Sequence, residues 1–272
     1  MIPADTALEG ILDLGINGKT ALVFGAGGGL GGAIAQSLAA EGVRVVAADI
    51  DAEAAARTVS ALGASGHAAM ALQWDIGDLT VLQDRLAAVE QAFGPVDILV
   101  NNTGGPPPTP AHGQAPEAWS RHFDMMVRSV IAVTDAVLPG MKARGWGRII
   151  TSTSSGVVAP IPNLGISNAL RMALVGWSKT LAREVGGAGI TCNIVLPGRI
   201  ATGRIVFLDE QKARREGRSV AEVSAESTAS IPVGRYGNPQ EYGDTVAFVA
   251  SARASYITGS VLRVDGGLIA SI

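Results

Sequence analysis

Short apolar runs alternate with longer stretches of helical periodicity along almost the whole chain. TALVFGA (Thr20–Ala26) is an apolar run of strand length, and Leu30–Glu41 behind it repeats apolar positions at helical spacing. The same alternation continues through RVVAADI (Arg44–Ile50) and a helix from about Ala52 to Leu62. It goes on with AMALQWDI (Ala69–Ile76), a helix over Leu79–Phe93, and VDILVNN (Val96–Asn102). A long helical pattern, Glu117–Ala143, leads to GRIITSTSS (Gly147–Ser155), and Leu164–Val185 leads to ITCNIVLPG (Ile190–Gly198). SVLRVDGG (Ser260–Gly267) is the last strand. Strands that are apolar on both faces and separated by helices need a parallel sheet covered on both sides. The pattern predicts an α/β, doubly wound Rossmann fold: one parallel seven-stranded sheet with helices on both faces.

Two segments break the rhythm. GGPPPTPAHG (Gly104–Gly113) cannot be helical, because proline removes donors and restricts its neighbours. Residues 202–232, which contain the charged piece LDEQKARREG, read as a lid over a substrate. Both follow strands, at the carboxyl edge where such sheets bind ligands. No repeat or low-complexity linker divides residues 1–272, which read as one domain with an N-terminal extension over 1–17.

Composition changes this picture mainly by exclusion. A formal charge of −3 provides no basic field, so no nucleic-acid partner is expected. The only cysteine, Cys192, excludes an internal disulfide and a cysteine-based metal cage, and points to a reducing, cytoplasmic setting. No metal site is expected. The N-terminus lacks the basic start of a secretory signal. Ala21–Ala40 and Ile149–Leu170 carry no charge and are long enough to raise the membrane question. Their glycines, hydroxyls and prolines assign them to buried sheet segments, so no membrane association is expected.

The chemistry begins at FGAGGGLGGAIA, which joins the first strand to a helix. Gly27, Gly29 and Gly32 satisfy G-x-G-x-x-G, and Gly25, Gly29 and Gly31 satisfy G-x-x-x-G-x-G, with Gly28 and Leu30 inside the loop. Glycines there let the backbone approach a pyrophosphate at a helix N-terminus. Asp49 lies twenty residues beyond Gly29, at the end of the second strand. A carboxylate there accepts both ribose hydroxyls of NAD and repels the extra phosphate of NADP. Asp51 adds a second negative charge. The purely structural alternatives are a tight strand–helix turn and, for Asp49, a helix N-cap.

Together these motifs resemble the short-chain dehydrogenase/reductase family from about Gly18 onward. WDIGD resembles the family's acidic–apolar pair beside the adenine, which implies cofactor roles for Asp75 and Ile76. NNTGG resembles its Asn-Asn-Ala-Gly, with Asn101, Asn102 and Gly104, and LPGRIAT its Pro-Gly-x-x-x-Thr, with Pro197, Gly198, Ile200 and Thr202 near the nicotinamide. The segment from GRYGNPQEYGD to RVDGG matches the family's C-terminal third, and the GGPPP loop is similar to its 3-oxoacyl-(acyl-carrier-protein) reductase-like branch. The resemblance implies an NAD-dependent enzyme acting on an alcohol/carbonyl pair of a small molecule. It also implies a homodimer or homotetramer paired through the two long helices, whose apolar positions exceed one buried stripe.

The expected catalytic set is altered. The family pattern of serine, tyrosine thirteen residues on, and lysine four further falls on Ser154, Ser167 and Arg171. Its helix asparagine falls on Met126. An aliphatic hydroxyl is far more basic as its anion than a phenol, so Ser167 cannot replace tyrosine by simple analogy. Arg171 keeps the charge beside the nicotinamide ribose but cannot deprotonate. His112, on the proline-rich loop, has the right intrinsic pKa for proton transfer. A proton route through Ser154, Ser167, water or His112 is one reading. A non-catalytic NAD-binding subunit or sensor is another, and non-redox chemistry on the same scaffold a third. Arg171, Arg199 and Arg204 are expected to converge on the mouth of the site, where they would recognise an anionic substrate through two-pronged bonds.

Overall fold

The computed structural model describes residues 13–272, so most of the N-terminal extension lies outside the described residues. Seven parallel strands form one sheet in the order β3-β2-β1-β4-β5-β6-β7. They are β1 (Thr20–Phe24), β2 (Arg44–Asp49), β3 (Ala69–Gln73), β4 (Ile98–Asn102), β5 (Gly147–Ser152), β6 (Ile190–Pro197) and β7 (Val261–Val264). The strand order reverses between β1 and β4, which opens a crevice at their carboxyl ends.

Every residue of β1 and β5 is buried, as a strand covered on both faces requires. One face is packed by α1 (Gly29–Ala40) and α9 (Pro239–Ala250), around Ile34, Leu38, Val246 and Tyr242. The other is packed by α3 (Leu82–Phe93), α5 (Ser129–Arg144) and α6 (Gly165–Val185), around Val89, Val133, Met141 and Leu181. Each such aliphatic side chain contributes roughly 1.5–3 kcal/mol on burial. The charge-free segments fall in β1–α1 and β5–α6, and no helix among the described residues is long and apolar enough to cross a membrane.

The single helix expected over Glu117–Ala143 is three pieces. α4 (Pro116–Phe123) runs into a π turn at Asp124–Arg128, and α5 follows. The inserted residue shifts the helical phase, so that the adjacent Met126 and Val127 are both buried. The 202–232 segment holds two helices, α7 (Gly203–Glu216) and α8 (Val220–Ala229). α2 (Ala52–Ala64) completes the set.

Candidate active site

The glycine loop is built by close backbone packing on one side and left open on the other. Gly25 adopts a left-handed φ of 62° directly over Asn102, where a side-chain carbon would meet Asn102 Nδ2 at 2.7 Å. At Gly31 such a carbon would lie 2.0 Å from the Gly25 carbonyl oxygen. Gly28 meets nothing, and it heads α1 without a side-chain cap. The first-turn amides of α1 therefore point outward with no side chain to receive them, which is the arrangement that binds a phosphate. No acidic residue stands in that first turn to compete.

Asp49 closes one flank of this cradle. Its Oδ2 accepts from the Gly27 amide at 2.8 Å and its Oδ1 from the Asp51 amide at 3.0 Å. Each oxygen keeps a lone pair for a further donor. The helix cap is supplied by Asp51, whose carboxylate accepts from the Glu53 and Ala54 amides, so the N-cap reading of Asp49 is replaced. Thr202 closes the opposite flank, with its Cβ 3.7 Å from where a Gly29 side chain would begin. Asn102 Nδ2 donates to the Phe24 carbonyl and Asn101 Nδ2 to Thr134 Oγ1, so both amides brace the carboxyl ends of strands. Asn101 Oδ1 is buried without a partner. Asp75 is exposed beyond β3 and accepts from the Gly77 amide, while Ile76 beside it is half-buried. Pro197 ends β6. Gly198 passes so close to Asp265 that a side-chain carbon would meet Asp265 Cα at 2.5 Å, and Ile200 is buried and bridged to Gly237. The segment is thereby fixed as it leads to Thr202.

Ser154 follows the carboxyl end of β5, while Ser167 and Arg171 stand together on α6 beside Gly105. Ser154 Oγ accepts from the Gly156 amide at 3.1 Å, which leaves its own proton free. Ser167 is buried in the first turn of α6 and its hydroxyl has no hydrogen-bond partner among the described residues, while Arg171 stands one turn further along the same face. The guanidinium of Arg171 is buried and bound to backbone: Nη2 to the Thr103 and Gly104 carbonyls at 3.0 and 3.3 Å, Nη1 to the Ser152 carbonyl at 3.4 Å. This corrects the expected two-pronged grip of Arg171 on a substrate, since its fork ties the ends of β4 and β5 together. Burial pushes its pKa down to about 10, with Tyr242 raising it and Arg204 lowering it further.

Other expectations fare differently. Arg199 does not join a cluster with Arg171 and Arg204, because it pairs with buried Asp209 of α7 at 3.1 Å. The second oxygen of Asp209 accepts from Tyr236 at 2.6 Å, so this trio fastens α7 over the crevice. His112 is exposed, and its ring makes no hydrogen bond to either serine or to any other group among the described residues. Its loop is pinned to the start of α6, with the Thr109 amide donating to Asn163 at 2.7 Å and the Gly165 amide to Thr109 at 3.1 Å. Tyr242 lies near Arg171, yet it is sealed in the core on Ser152 Oγ and the Val195 carbonyl. Burial raises the pKa of its phenol, so it offers no acid–base group. The thiol of buried Cys192 is pushed up to about 12 by burial, which leaves it inert. The part of the site that pattern reading missed is Gly105, around which Arg171, Arg204 and Ser167 gather. A glycine beside three prolines reads only as loop.

Comparison with known proteins identifies the family. A family described as enoyl-(acyl carrier protein) reductase matches residues 25–269. The 3-oxoacyl-(acyl-carrier-protein) reductase FabG of Escherichia coli is 38% identical over 258 residues, 94% of this chain and 99% of that protein. The short-chain reductase protein NovJ of Streptomyces niveus is 33% identical over 267 residues, 97% of this chain and 98% of that protein. Among solved structures, L-sorbose reductase from Gluconobacter frateurii, complexed with NADPH and L-sorbose, superposes with a TM-score of 0.90 at 30% identity, covering 96% of this chain and 100% of that one. YwfH, an NADPH-dependent reductase involved in bacilysin biosynthesis, gives 0.89 at 27% identity, covering 93% of this chain and 99% of that one. The chain belongs to the short-chain dehydrogenase/reductase family of nicotinamide-binding oxidoreductases, in its FabG-like branch.

Proposed function

We propose that this protein is an NAD(H)-dependent oxidoreductase that interconverts an alcohol and a carbonyl, with its proton carried by serine hydroxyls and water. The observation that carries this reading is that the uncapped α1 N-terminus with Asp49, and two serine hydroxyls that donate to no protein group among the described residues, stand at the carboxyl edge of one sheet. When bound, the cofactor supplies or accepts the hydride. A hydroxyl both donates and accepts, so Ser154 and Ser167 can pass a proton between the substrate oxygen and water without holding charge. The reaction then draws its proton from solvent, and hydride transfer depends chiefly on positioning. Arg171 contributes by fixing the loop after β4, and Gly25, Gly28, Gly29, Leu30 and Gly31 by receiving the pyrophosphate. His112 is tested beside the serines. Titration with NAD followed by a screen of alcohols and carbonyls tests the reading. Tight NAD binding with no turnover on any of them would overturn it, and so would full activity in the Ser154→Ala, Ser167→Ala, His112→Ala triple variant.

Cofactor choice follows from Asp49. Two neighbouring structures are described with NADPH. Here the carboxylate at the end of β2 is followed by a second acid, Asp51, and no basic residue stands before Arg57. NAD is expected to bind more tightly than NADP, and Asp49→Ala to weaken NAD by about tenfold while narrowing the gap, as for lost charge-assisted hydrogen bonds. Calorimetry with both cofactors checks this, and equal affinities in the unaltered protein would refute it.

The protein is also proposed to be a homodimer or homotetramer of the cytoplasm. The outward side of α6 presents Met172, 49% exposed, beside Ala173 and Gly176, and the π turn presents Met125, 44% exposed. Light scattering at micromolar concentration should give a multiple of the 27.7 kDa chain mass. A monomer would rule this out.

A further inference from the structure

The bare face of Gly105 is the meeting point of three donors from two helices, α6 and α7. A side-chain carbon placed there would lie 3.5 Å from Arg171 Nη2, 3.8 Å from Arg204 Nη2 and 3.8 Å from Ser167 Oγ. Among the described residues, no carboxylate comes within ion-pair distance of either guanidinium. The two arginines are spent unequally. Arg171 gives both Nη nitrogens to backbone carbonyls. Arg204, on the first turn of α7, gives Nη2 to the Pro106 carbonyl at 3.2 Å and lies over the Phe207 ring at 5.5 Å. The rest of its planar fork has no hydrogen-bond partner among the described residues. A neutral group in this notch would leave two adjacent cations unanswered, whereas a two-oxygen anion matches the fork and takes the Ser167 proton as a further bond.

We propose that the Gly105 notch binds the carboxylate of the substrate, with Arg204 gripping it from the lid, Ser167 from α6, and the buried charge of Arg171 behind them. The substrate class is then a small oxo acid and its hydroxy acid counterpart. This deepens the oxidoreductase reading and rests on it. In the reductive direction Ser167 stays on the carboxylate, and the oxo acid takes one hydride from NADH at its carbonyl carbon and one proton from the Ser154–water route at its oxygen, leaving the hydroxy acid and NAD.

The test uses oxamate, a monocarboxylate, titrated by calorimetry into the protein saturated with NADH, beside a turnover screen of oxo acids and neutral ketones. Arg204→Ala is expected to weaken oxamate by about tenfold or more, the size expected for lost charge-assisted bonds. Gly105→Ala should do the same at an unchanged melting temperature, since the methyl would meet its neighbours at ordinary contact distance and fill only the notch. Oxamate affinity unmoved by both changes would overturn the proposal, and equal binding of inorganic phosphate would overturn the choice of carboxylate. Turnover of neutral ketones without oxamate binding would overturn the notch and leave the oxidoreductase reading standing. Oxamate binding that Arg204→Ala abolishes, with no turnover on any carbonyl, would uphold the anion notch and overturn the oxidoreductase reading instead.

Discussion

Gly31→Ala is expected to lower NAD affinity by at least about a hundredfold and the melting temperature by roughly 5 °C or more, from an overpacking cost of about 1–3 kcal/mol or above. The added carbon would stand 2.0 Å from the Gly25 carbonyl oxygen, 2.5 Å from its carbon and 3.0 Å from the Ala26 nitrogen. All three are backbone atoms at the turn from β1 into α1, so no side-chain rotation relieves the contact. Either α1 moves away from the sheet or the loop opens, and in both cases the amides at the helix start lose their aim. Gly28→Ala separates the two effects. Its added carbon meets nothing among the described residues, so the melting temperature should hold while the open face proposed to receive the pyrophosphate is obstructed. Thermal denaturation and calorimetry with NAD check both variants. A Gly31→Ala protein with unchanged melting and unchanged NAD affinity would mean that the loop is not packed as described.

The contrast between these two glycines also marks how far the sequence could be read. Periodicity located all seven strands, the inner ones because a strand buried on both faces must be a nearly continuous apolar run, and the more exposed β3 and β7 by their place in the strand–helix alternation. It overran their ends: the third strand was expected to reach Ile76 and stops at Gln73, and the last was expected over Ser260–Gly267 and spans Val261–Val264. Apolar character continues into the turns after the hydrogen-bonded partner has ended. The π turn at Asp124–Arg128 was hidden because one inserted residue leaves composition unchanged. α9 was carried only within the matched C-terminal segment, although Asn238, Pro239 and Glu241 spell its capping box. In the site, the residue types were legible and their partners were not. Asp49 binds the Gly27 amide, and Arg171 binds three carbonyls, all backbone atoms that a sequence does not display. Arg199 looked equivalent to Arg204 until Asp209 was seen to claim it. Gly105 became informative only once α6 and α7 had folded against it.

Placing tyrosine at 167 and lysine at 171, as the family pattern would have it, is expected to lower stability and not to raise carbonyl reductase activity. Ser167 is buried, and its Oγ is already 3.8 Å from the point where a Gly105 side chain would begin. A phenol is several ångströms longer, so the Gly104–Pro106 loop would have to yield. Arg171 reaches the Thr103, Gly104 and Ser152 carbonyls with two nitrogens of one rigid plane. A lysine has a single nitrogen to offer, and leaving the buried Ser152 carbonyl unpaired costs about 1–3 kcal/mol, while the more exposed Thr103 and Gly104 carbonyls can turn to water. The double change Ser167→Tyr, Arg171→Lys should therefore reduce the melting temperature, and Arg171→Lys alone should already show much of the loss. NADH oxidation across a panel of carbonyls, measured beside thermal denaturation, checks the outcome. A rise in activity at unchanged stability would mean that Ser167 and Arg171 are remnants in a site still shaped for the other pair. The expected loss would mean that loop and helix are fitted to each other. Arg171 then gives its hydrogen bonds to hold the loop, and Ser167 keeps its hydroxyl free for whatever the loop encloses.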